Sequence, residues 1–163
     1  MVAGELVQPE GPKADRRRLI LLVVAGVIAL ADQVSKTVAL QTLDDGPAHL
    51  LGDSVQLRIT RNSGGAFSLL SGLTPVITLL AVGAVIVMTR IGSRSDDRAT
   101  AAAWSMILGG ALGNLVDRMA RAPGFPTGEV VDFVKVGWWP TFNLADSAIT
   151  LGAVLLVIRT WRD

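Results

Sequence analysis

The chain has no cysteine, a single histidine and little charge: only 18% of its 163 residues are Asp, Glu, Lys or Arg. Without cysteine there are no disulfides, no thiolate nucleophile and no iron–sulfur ligation, so catalysis of the Cys–His type is excluded. The lone histidine, His49, falls in a polar loop and reads as incidental. A zinc site needs several ligands, and no HExxH is present. The net charge of +1, with no basic tract interleaved with aromatics, gives no sign of nucleic acid as a partner.

Charge is scarcest in four long stretches. Leu19 to Ala31 has none, and its apolar character continues beyond Asp32 to Leu40. Leu73–Thr89, the Ala- and Gly-rich Ala99–Val116, and Phe142–Ile158 follow. Each can cover roughly 17–25 residues, the span of a bilayer core, whereas a soluble core helix is usually shorter and has a polar face. Arg16-Arg17-Arg18 ahead of the first run resembles a signal peptide, but no clear small-x-small site precedes Asp32 and three more spans follow, so it reads as a retained helix. These features predict an all-α transmembrane bundle of four helices. A disordered cytoplasmic tail is expected over 1–18, a membrane domain over 19–159 and a short cytoplasmic tail over 160–163.

Basic residues orient the bundle. Lys13, Arg16, Arg17 and Arg18, then Arg90, Arg94 and Arg98, then Arg159 and Arg162 put nine of fifteen on one side. Both termini should be cytoplasmic, and the outward segments are about 41–72 and 119–140. In the first, Asp53–Thr60 alternates Val55, Leu57 and Ile59 with polar neighbours, a half-exposed strand pattern. Arg61-Asn62-Ser63-Gly64-Gly65-Ala66-Phe67 follows; its glycines permit a turn or a close backbone approach to a ligand. In the second, a loop with Pro123, Gly124, Pro126 and Gly128 leads into an extended piece around Val130–Val134, and Trp138 and Trp139 suit the headgroup level.

Polar residues of the spans cluster toward the outward side. Asp32 and Lys36 are one helical turn apart and read as an ion pair that orients the first span, or as support for a site. Asn114, Asp117 and Arg118 lie near one face, with Asp117–Arg118 read as a structural pair or Arg118 as the holder of a carboxylate or substrate carbonyl; Gly109, Gly110, Ala111 and Gly113 allow close helix approach. Asn143 and Asp146 open the fourth span. Carboxylates at the edge of a hydrocarbon layer are costly and point to function. With no cysteine and no usable histidine, they suggest paired-carboxylate hydrolysis, in which one carboxylate activates water and its protonated neighbour polarises a carbonyl. Spacing alone does not choose the pair among Asp32, Asp117, Asp132 and Asp146. Asp132 and Asp146 are attractive because neither has an adjacent basic residue. A small proton-coupled transporter would place polar groups at the midplane and a path through both leaflets. A structural subunit would explain Asp32–Lys36 and Asp117–Arg118 but leave Asp132 and Asp146 without purpose.

Five motifs occur in order: Asp32-Gln-Val-Ser-Lys36, Asn62-Ser-Gly-Gly-Ala-Phe67, Gly110-Ala-Leu-Gly-Asn-Leu-Val-Asp-Arg118, Val130-Val-Asp-Phe133 and Phe142-Asn-Leu-Ala-Asp146. Together they resemble the lipoprotein signal peptidase (signal peptidase II) family over about residues 16–160. The composition is similar to that of members from high-GC actinobacteria. The resemblance implies an aspartic endopeptidase of the bacterial cytoplasmic membrane that cuts diacylglyceryl-modified prolipoproteins just before the lipidated cysteine. It implies Asp132 and Asp146 as the catalytic dyad, with Asp32, Lys36, Asn62, Gly64, Asn114, Asp117, Arg118 and Asn143 as supporting and substrate-binding residues. It also implies an outward β-cradle, a short amphipathic helix in the first outward segment, no metal or organic cofactor, and globomycin-type inhibitors. A monomer among membrane lipids is the expectation for partners. Two departures stand out: Gly65 replaces the usual first alanine of NxGAAF, and Arg121–Gly128 is longer than in many members.

Overall fold

The computed structural model describes residues 12–64, 71–95 and 97–162. Helix α1 runs Pro12–Thr42, α2 Thr74–Gly92, α3 Arg98–Ala120 and α4 Leu144–Thr160. Pro12 suits a helix start because the first N–H lacks an intrahelical acceptor anyway. The helix thus begins inside the stretch 1–18 read as a tail; residues 1–11 of that tail lie outside the described residues. Gly46, at φ 130°, turns the chain after α1. The short link from α2 to α3 ends on Asp97, whose side chain accepts from Thr100 N at 2.9 Å and caps α3.

Three of these helices, over Arg16–Thr42, Thr74–Gly92 and Arg98–Ala120, are long and apolar enough to cross a membrane. The fourth, α4, has 17 residues and completes the four-helix bundle. The chain is a multi-pass membrane protein. Only 11% of the most apolar window of α2 is buried inside the protein, so its Val76, Leu79 and Leu80 face outward, as expected of a surface solvated by lipid tails.

Helix α3 sits at the centre, packed on α4, α1 and α2. Tails of lipid are as apolar as leucine, so close packing and polar contacts, not hydrophobic burial, hold such helices together. Gly113 shows the device: a Cβ there would stand 2.6 Å from Asp32 Oδ2, so only glycine lets α1 lay its carboxylate against α3. At Gly110 the Ala145 carbonyl of α4 fills the same kind of space. The C-terminal parts of α1 and α3 therefore meet the start of α4 at one end of the bundle.

That end carries a three-stranded antiparallel sheet, β1 (Ala48–His49), β2 (Val55–Asn62) and β3 (Val130–Val136), in that order. The expected strand lies two residues further along than Asp53–Thr60 and is irregular between Leu57 and Thr60. Beyond the irregularity Thr60 stands opposite Asp132, and Asn62 opposite Val130. On its other side Val134 pairs with Phe142, just before α4. Among the described residues between α1 and α2, helical structure is limited to the 3-10 turn Ser71–Leu73. Residues 65–70, including Gly65, lie outside the described residues.

Candidate active site

Five elements deliver the ten expected residues to one polar cluster at the sheet end of the bundle. Lys36 is its cationic centre and is fully buried. Its Nζ lies 2.7 Å from Asp32 Oδ2 and 2.8 Å from Asp117 Oδ2, and donates to Asn114 Oδ1 at 3.0 Å. One ammonium is thus shared by two buried carboxylates, Asp117 also pairing with Arg121, and each takes further donors. Asp32 Oδ1 accepts from Ala145 N at 3.0 Å, tying α1 to the first turn of α4. Asp117 Oδ2 accepts from Val131 N at 3.1 Å, tying α3 to β3. Buried charges persist only with such pairing.

The expected ion pair between Asp32 and Lys36 is present. The Asp117–Arg118 pair is not what forms: Asp117 binds Lys36 and Arg121 Nε, while Arg118 Nη1 donates to Gly128 O at 3.4 Å. Adjacent helical residues point in different directions, whereas Asp117 and Arg121, four apart, share a face. Arg118 instead lies against Gly64, where its guanidinium nitrogens would stand 3.3 and 3.4 Å from an added Cβ. Gly64 has φ 102°, a conformation that favours glycine. Its N–H donates to Asn62 Oδ1 at 2.9 Å, which leaves the Asn62 amide nitrogen to donate to Asp132 Oδ2 at 3.1 Å.

Asp132, on β3, is 2% exposed; Asp146, in the first turn of α4, is half-buried. Two asparagines connect them. Asn143 Nδ2 donates to Asp132 Oδ1 at 2.7 Å and to Asn114 Oδ1 at 3.0 Å, and Asn114 Nδ2 donates to Asp146 Oδ1 at 2.9 Å. Asn143 is also the N-cap of α4. Its Oδ1 accepts from Asp146 N at 2.9 Å, and its own N–H donates to Asp146 Oδ2 at 3.2 Å, a reciprocal capping box. The same residue therefore starts the helix and fixes both carboxylates.

Burial pushes the Asp132 carboxyl up to about 6, and the neighbouring Asp146 charge adds to the rise; hydrogen bonds from Asn62 and Asn143 and the charge of Lys36 oppose it. A carboxyl biased toward its neutral form beside a second, more open carboxylate can divide acid and base roles.

Sequence reasoning missed Gln33 and Arg121. Gln33 Nε2 donates to Gly113 O at 2.9 Å and to Asp117 Oδ1 at 3.1 Å, and Arg121 Nη2 donates to Gln33 Oε1 at 3.5 Å. The spacing of Arg121 from Asp117 carried a signal; Gln33 offered none beyond its place between Asp32 and Lys36. The long stretch Arg121–Gly128 is tied to α2, where Thr78 Oγ1 donates to Pro126 O at 2.7 Å, and is closed at its base by Glu129 N donating to Ala122 O at 3.2 Å.

Comparison with known proteins identifies the family. The family model Peptidase_A8, described as signal peptidase (SPase) II, matches residues 24–162. The lipoprotein signal peptidase of Rhodococcus jostii (strain RHA1) is 51% identical over 153 residues, covering 93% of this chain and 77% of the relative. That of Mycobacterium tuberculosis (strain ATCC 25618 / H37Rv) is 49% identical over 157 residues, covering 96% of this chain and 78% of the relative. A bacterial membrane enzyme solved by the in meso method at 1.9 Å resolution superposes with a TM-score of 0.75 at 28% identity, covering 88% of this chain and 94% of that one. With a family model spanning most of its length and relatives near half identity, the chain belongs to the signal peptidase II family of membrane aspartic endopeptidases.

Proposed function

We propose that Asp132 and Asp146 are the catalytic dyad with which this enzyme removes the signal peptide from diacylglyceryl-modified prolipoproteins. The observation that carries the reading is the Asn143–Asn114 relay, which donates one hydrogen bond to each carboxylate. Asp146 takes a proton from a water as that water attacks the carbonyl carbon N-terminal to the lipidated cysteine. Asp132, the carboxyl biased toward neutrality, donates its proton to the carbonyl oxygen as the tetrahedral diol forms. On collapse the C–N bond breaks, the proton held by Asp146 passes to the leaving amine, and a diol hydroxyl returns a proton to Asp132. Asn62, Gly64 and Arg118 frame the substrate side of Asp132. Asp32, Lys36, Asp117, Asn114 and Asn143 position the dyad.

Both termini face the cytoplasm and the dyad lies near the outward face of the bacterial cytoplasmic membrane. Support comes from the basic residues at the end of the bundle opposite the cluster, including Arg16, Arg94, Arg98 and Arg159. This topology requires α4 to cross as well, and 17 residues span about 25 Å at roughly 1.5 Å each, close to a hydrocarbon core. The acyl chains of the substrate stay in the outer leaflet and bring the scissile bond to this level. Globomycin-type inhibitors would occupy the dyad.

The test is cleavage, in detergent, of a diacylglyceryl-modified prolipoprotein and of its unlipidated form. Cleavage of the lipidated form alone, blocked by globomycin, supports the reading. Equal cleavage of both forms refutes the lipid requirement.

A further inference from the structure

The end of the bundle remote from the dyad holds a cavity of about 650 Å³ between the start of α1 and the start of α3. Three arginines, Arg16, Arg17 and Arg98, line it together with Ile20, Val24 and Ala101. Measured along α1, Arg16 to Asp32 is about 24 Å at roughly 1.5 Å per residue, so this space is separate from the active site. Asp97 also lines it, but its carboxylate is engaged: it accepts from Thr100 N and Oγ1, both at 2.9 Å, and pairs with Arg159 Nη2 at 3.2 Å. Arg159 Nε, beside this pair, is buried and has no hydrogen-bond partner among the described residues. Cationic donors over an apolar wall, at the level where a spanning helix leaves the hydrocarbon, match a phosphodiester headgroup with its acyl chain below.

We propose that this cavity binds one anionic phospholipid, its phosphate held by Arg16 and Arg98 and an acyl chain laid along Ile20, Val24 and Ala101. The apolar wall favours a lipid over a free phosphate, which would leave that surface uncovered. A cationic peptide segment, such as the basic start of a signal peptide, is repelled by the arginines. The site is independent of the peptidase chemistry and stands or falls apart from it.

Native mass spectrometry of the full chain in a nonionic maltoside detergent tests it, with phosphatidylglycerol, phosphatidylcholine and inorganic phosphate as separate probes. One phosphatidylglycerol is expected to be retained at concentrations at least about tenfold below those for phosphatidylcholine. Arg16→Gln and Arg98→Gln each weaken that retention about fivefold. Ala101→Leu, which narrows the apolar wall and leaves every charge in place, weakens it too. Arg58→Gln makes the same charge change on the exposed side of β2 and leaves retention as it was. Equal retention of the two lipids, inorganic phosphate binding as tightly as phosphatidylglycerol, or an Arg58→Gln loss matching the other two would each overturn the proposal.

Discussion

Asn143 donates its side-chain amide to Asp132 at 2.7 Å while exchanging a reciprocal capping box with Asp146. The start of α4 and the spacing of the two carboxylates are thus set by one side chain, and stability and activity are linked at that position. Asn143→Ala should lose both the cap, worth about 1 kcal/mol, and most of the activity. Asn143→Ser keeps a capping oxygen but is too short to reach Asp132. Its melting temperature in detergent should recover part of the loss, while kcat stays low. Recovery of kcat along with stability would show that Asn143 acts only as a cap.

Lys36 faces two carboxylates, Asp32 and Asp117, in a fully buried setting. Lys36→Met should therefore cost about 3–5 kcal/mol, because it strands charge that the interior cannot solvate. Adding Asp32→Asn removes one stranded charge and should restore part of the stability. The check is a double-mutant cycle of detergent-solubilised protein by chemical denaturation. Additive losses would contradict the shared ion pair.

Activity should fall on the alkaline side as the dyad loses its shared proton, with the limb near the Asp132 value of about 6. The Asn62 hydrogen bond favours the charged form of Asp132, so Asn62→Ala should move this limb to higher pH. For stability the sign is the same. Asp132 has a folded value above the ordinary 3.8, so its contribution is full below 3.8 and lost as pH rises through about 6. Profiles of kcat against pH for the two proteins decide the point, and a limb unmoved by Asn62→Ala would contradict it.

Gly113 permits the contact of α1 with α3, since a Cβ there would come within 2.6 Å of Asp32 Oδ2. Gly113→Ala should cost about 1–3 kcal/mol through overpacking and displace Asp32 from Ala145 N. The melting temperature should fall well below that of Gly26→Ala, where an added Cβ meets nothing within 4 Å. Equal effects at the two glycines would remove the argument.

Much of this was legible in the sequence because membrane helices declare themselves by what they omit, and because the costly residues are few. The ten residues singled out by motif fall in one cluster. The partners were less legible. Lys36 meets Asn114 across 78 residues of chain, and such a contact leaves no mark on local spacing. Adjacency in the sequence suggests Asp117 with Arg118, but on a helix it is the residue one turn on, Arg121, that shares the face of Asp117 and pairs with it. The start of α1 at Pro12 was hidden by the charges of its first turns, which lie beyond the apolar core. The two-residue β1 is set by pairing with β2 and has no pattern of its own.

The most direct measurement is single-turnover cleavage of a diacylglyceryl-modified prolipoprotein by Asp132→Asn and Asp146→Asn, each shown to be folded by circular dichroism and melting temperature. Both should lose activity by about 10²–10⁴-fold or more with substrate binding retained, as expected for two groups that share one proton-transfer step. Near-normal cleavage by either folded variant would contradict the dyad and return Asp117 to consideration.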